Sequence, residues 1–119
     1  MDKKCLMRKT DKTLENTIVK VLTRVCEDSL KAIDGFQWLT HLVNYKDFPR
    51  SLTVMCIFES QDQITQLLNS SQHEALINNI INQLSAAGIQ LPKKQKHIKF
   101  DSEEACNLHH GGNWANRLR

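Results

Sequence analysis

The sequence predicts an α+β domain. It is a two-layer sandwich whose mixed three-stranded sheet is covered by two or three helices, in the order α-β-β-α(α)-β-α. Three observations predict it. Apolar residues recur at three- and four-residue steps through 13–34 and again through 61–87. Two runs rich in aromatic and β-branched residues, 36–45 and 51–60, flank a connector that contains proline. A third short run, around 96–101, follows the second helical stretch. A β-hairpin therefore leads through a helical crossover to a third strand.

The first helix spans residues 13–34. Leu14, Ile18, Val21, Leu22, Val25, Leu30 and Ile33 give one apolar stripe, and Lys20, Arg24, Glu27, Asp28 and Lys31 cover the other face. Thr10, Asp11 and Thr13 offer capping oxygens upstream. Gly35 suits the left-handed position that ends a helix. Residues 1–12 then read as a mobile basic arm, residues 13–110 as the single domain and residues 111–119 as a C-terminal tail.

The connector Lys46-Asp47-Phe48-Pro49-Arg50 stops the hairpin strands, because proline donates no ladder hydrogen bond. Pairing Tyr45 with Ser51 sets Trp38 opposite Phe58 and Leu42 opposite Val54. That register puts Phe36, Trp38, Leu42, Leu52, Val54, Cys56 and Phe58 on the core face. The second face keeps Leu39, Val43, Tyr45, Met55 and Ile57, a set too apolar to be left in water without a reason. Two coverings suit it: a second copy of the chain in a homodimer, or the C-terminal helix with Trp114 folded back.

The 61–87 helix breaks at Asn69-Ser70-Ser71-Gln72, whose short polar side chains compete with helical backbone bonds. Ser71 with Glu74 fits a capping box for the second half, and Gly88 ends it. Asp101 with Glu104 fits another for a short helix at 102–109, which Gly111-Gly112 breaks. The order is similar to that of one version of the KH nucleic-acid-binding fold. That module admits a sugar-phosphate backbone through a GxxG loop between paired helices. The equivalent junction here has no Gly, Lys or Arg, so the likeness is one of element order alone.

Composition narrows the function. The 119 residues suffice for one domain with a core of its own. No apolar window of transmembrane length exists, and no apolar stretch follows the basic N-terminus as in a secretory signal. Asp2 excludes myristoylation and Arg119 a prenylation box. These readings place the chain in the cytoplasm with no membrane partner. Cys5, Cys26, Cys56 and Cys106 lie 21, 30 and 50 residues apart, which is no CxxC pair and no disulfide framework, so reduced thiols are expected.

The net charge of +3 is mild, but it is segregated. Residues 1–50 carry ten Lys/Arg against seven Asp/Glu, residues 51–92 carry Glu59, Asp62 and Glu74 with no Lys or Arg, and residues 93–119 carry six Lys/Arg against three acids. The densest basic run is Lys93-Lys94-Gln95-Lys96, with Lys99 just beyond and Arg117 and Arg119 in the tail. Such groups neutralise phosphates, and Trp114 could stack on a base.

The expected function is therefore that of a small non-catalytic binding module, accessory to RNA or DNA, that uses the basic ends. Two alternatives stand beside it. One is a homo-oligomeric or protein-interaction module that uses the second sheet face. The other is a metal-dependent enzyme at Cys106, His109 and His110, a ligand set that suits zinc with one open position.

Overall fold

The computed structural model describes residues 9–119. Helix α1 spans Lys9–Ala32. Residues 1–8 of the expected basic arm lie outside the described residues, and residues 9–12 form the first turn of α1. Thr10, Asp11 and Thr13 are thus inside the helix rather than capping it. Ile18, Val21, Leu22 and Val25 are buried as the periodicity requires, whereas Leu30 is 52% exposed. Ser29 takes the inner position instead. Its hydroxyl donates to the Val25 carbonyl at 2.7 Å, so it enters the core with its polar group satisfied.

Strands β1 (Phe36–Leu42) and β2 (Thr53–Phe58) pair antiparallel, and β3 (Ile98–Ser102) joins β2 in parallel. The sheet order is β1-β2-β3. Between β2 and β3 run α2 (Gln61–Leu68) and α3 (Gln72–Ala86), and the chain closes with α4 (Glu103–His110) and α5 (Trp114–Arg117). This is the α+β two-layer arrangement, with order α-β-β-α-α-β-α before the final short helix. Among the described residues no helix is long and apolar enough to cross a membrane.

The hairpin register differs from the expected one. Trp38 pairs with Ile57 rather than Phe58 and Leu42 with Thr53 rather than Val54, an offset of one residue along the whole run 38–42, and a bulge between Phe36 and Trp38 then leaves Phe36 opposite Phe58. An offset of one turns each side chain of 38–42 to the opposite face, and the extra residue, Gln37, breaks the alternation so that Phe36 still faces the core. Leu39 therefore joins Val54, Cys56 and Phe58 on the core side, and Trp38 is turned outward. The predicted second-face set is split by this correction. Leu39, Val43 and Tyr45 pack against the main core, while Met55 and Ile57 point to the outer side.

The main core brings α1, α2 and α3 onto one side of the sheet. Ile18, Val25, Leu52, Val54, Cys56, Phe58, Ile80 and Leu84 are fully buried there. A smaller core sits on the outer side, where Ile57 and Cys106 are also fully buried. The residues expected to trail as a loose tail close it. Trp114 packs edge to face on Trp38 with centroids 5.0 Å apart. Both indole N–H groups donate to Glu103, at 2.9 Å from Trp38 and 2.7 Å from Trp114. Arg117 binds Asp101 at 2.6 and 2.8 Å.

Helix ends follow the polar side chains. Ser60 caps α2, and Gln63 answers it in a full capping box. Ser71 makes no capping bond to α3; the neighbouring Ser70 hydroxyl accepts from the Gln72 amide instead. Ser102, one residue after the expected Asp101, caps α4 by accepting from the Ala105 amide at 3.0 Å.

Candidate polyanion site

The lysine run folds as a tight turn ahead of β3, spanning Lys94–His97. Lys94 holds a left-handed backbone at φ 46°. The Lys94 amide donates to the Leu91 carbonyl at 3.3 Å and the Lys96 amide to Lys93 at 3.0 Å. His97, only 4% exposed, locks the turn from within. Its Nε2 accepts the Lys93 amide at 3.1 Å, so the proton sits on Nδ1, which donates to the Leu52 carbonyl at 2.7 Å. The histidine between the lysines is thus a structural clamp.

Between this turn and α3 lies a groove of about 400 Å³. Its lining is part apolar, from Ile77, Ile81 and Pro92, and part polar, from Asn78, Gln95 and the three lysines Lys93, Lys94 and Lys96. The three lysines are exposed, and none makes an ion pair among the described residues. Among the described residues no carboxylate is in the groove lining. The carboxylate of α3, Glu74, is not in the lining, and α3 offers the groove Ile77, Asn78 and Ile81.

The other residues expected at this site lie elsewhere. Lys99 is exposed on β3 and registers with Met55 on the outer side. Arg117 is committed to Asp101, and Trp114 to Trp38 and Glu103. Arg119 is exposed and donates to the Asn116 side chain at 2.9 Å. Burial alone would push the Asp101 carboxyl up. Hydrogen bonds from Arg117 and the Ser102 amide, with the Arg117 and His110 charges, outweigh that and hold it below the usual carboxylate range.

The metal grouping is not assembled. Cys106 is fully buried on the inner side of α4, while His109 and His110 are exposed, and Nδ1 of His110 lies 3.3 Å from the Arg117 guanidinium. Among the described residues no group of three His, Cys, Asp or Glu side chains could hold a metal ion. Desolvation first, with the Glu103 and Asp101 charges, raises the Cys106 thiol despite the opposing pull of Arg117. Burial pushes the Cys56 thiol up to about 12.

One cluster was not foreseen. Glu15 of α1 accepts hydrogen bonds through a single oxygen from Tyr45 OH and from His41 Nε2, the latter at 3.0 Å. The His41 bond and then the Tyr45 bond lower the Glu15 carboxyl, and burial followed by the Glu15 contact raises the Tyr45 phenol. His41 and Tyr45 are four apart in sequence, but Glu15 lies 26 and 30 residues away from them and only the fold supplies it. The cluster pins α1 to the end of the hairpin.

The junction between α2 and α3 exposes Asn69, Ser70 and Ser71 and carries no cation. No family model, no curated protein and no solved structure matches the chain.

Proposed function

We propose that the protein is a small non-catalytic module that binds a polyanion, RNA or DNA, in the lysine-rimmed groove beside α3. One observation carries this reading: three exposed lysines, with no ionic partner among the described residues, stand at a locked turn beside a groove whose described lining holds no carboxylate. A locked turn spares a ligand part of the ordering entropy that a floppy basic tail would demand. The affinity expected from so few phosphate contacts is about micromolar or weaker at physiological salt.

A mobility-shift titration at several salt concentrations tests the proposal. Three lysine contacts to a single strand predict a log–log salt slope of about −2. The triple variant Lys93→Ala, Lys94→Ala, Lys96→Ala should abolish the shift. An absence of binding at low salt, or unchanged binding by the triple variant, overturns the proposal.

A further inference from the structure

We infer that the groove takes one unpaired nucleoside phosphate unit of a single strand, with its base against Ile77, Ile81 and Pro92 and its phosphates on Lys93, Lys94 and Lys96. This rests on the polyanion reading and narrows it. A site that read phosphate charge alone would need only the lysines. This one sets them beside Ile77, Ile81 and Pro92 in a groove of about 400 Å³, on the scale of a small-ligand pocket.

The recess is built rather than incidental. Ile77 is 6% exposed and belongs to the main core, so its surface cannot withdraw. Pro92 precedes the lysines and has no side-chain freedom to lose. The His97 clamp holds the opposite side at a fixed distance from Leu52. An unstacked base has an apolar face that gains from burial on such a surface, and it is readily splayed only from a single strand. The stacked bases of a duplex cannot enter the recess, and a sulfated polysaccharide has no aromatic ring to offer it. The exposed Asn78, which also lines the groove, offers an amide with one donor group and one acceptor.

Fluorescence anisotropy of the full chain distinguishes the cases, with three labelled probes: a single strand of about ten nucleotides, the duplex of the same sequence, and heparin. The single strand should bind at least about tenfold tighter than either. Ile81→Ala should bring the single strand down towards the level of the duplex, with circular dichroism confirming the fold. Equal affinity for all three probes, with lysine dependence intact, overturns the base pocket and leaves the polyanion reading standing. Binding of none overturns both. Competition by free adenosine monophosphate as strong as by the strand itself overturns the strand as the occupant.

Discussion

Trp38 and Trp114 meet edge to face, and each donates its indole N–H to a different oxygen of the same carboxylate, Glu103. They are the two tryptophans of the chain. The pair closes the outer side of the sheet and makes tryptophan fluorescence a direct report on whether α5 is docked.

Glu103→Ala should therefore lower stability by about 2 kcal/mol, because it leaves two partly buried N–H donors without their acceptor. The tryptophan emission should shift to the red under native conditions. Urea denaturation followed by fluorescence checks both. An unchanged emission maximum would mean that the carboxylate does not hold the pair.

Acid should loosen the same region. The folded Asp101 carboxyl is held below its ordinary value of 3.8. A depressed folded value stabilises the fold above the ordinary pKa, and this contribution is lost as pH falls through the folded value. Fluorescence should thus show α5 releasing below about pH 4, and Asp101→Asn should be less stable at neutral pH and lack that step. A wild-type transition identical to that of Asp101→Asn would count against the Arg117 pairing.

Gly35→Ala tests the junction between α1 and the hairpin. Gly35 has φ of 82°, and an added Cβ would lie 2.3 Å from the Gln63 side chain. That side chain is held in the α2 capping box, where its Oε1 accepts from the Ser60 amide at 3.1 Å. Strain and the displaced cap together predict a loss of about 2–3 kcal/mol in thermal or denaturant unfolding. A loss below about 0.5 kcal/mol would show that Gln63 gives way freely.

His97→Ala should remove the clamp on the lysine turn. It leaves the Lys93 amide and the Leu52 carbonyl without their partner and opens a cavity, a combined loss of about 3 kcal/mol. Hydrogen exchange at Lys93 should quicken beyond that of the β2 amides. Equal quickening everywhere would mean that the histidine stabilises the fold at large rather than the turn.

Much of the fold was legible because its signals are local. The apolar stripe of α1, the polar break between Leu68 and Gln72, and the glycines after α1 and α3 all declare themselves within a few residues. The register was not legible, because alternation alone fixes neither how the connector sets Leu42 opposite Thr53 nor that Gln37 is the residue left over. The candidate site was legible in its charges and not in its shape. Lys93, Lys94 and Lys96 stand out in the sequence, but Ile77 and Ile81 look like ordinary core positions on α3. Arg117 and Trp114 resemble binding groups until Asp101 and Trp38, distant in sequence, are seen to hold them.

The hairpin register also sets an order of events in synthesis. It turns Trp38 outward, and the carboxylate that receives its N–H lies 65 residues downstream. Until α4 and α5 emerge, the growing chain shows a bare apolar sheet surface while the helical side is already able to close. The half-made domain thus keeps that surface open until residues 103–117 follow, and this stretch serves as its shield against aggregation.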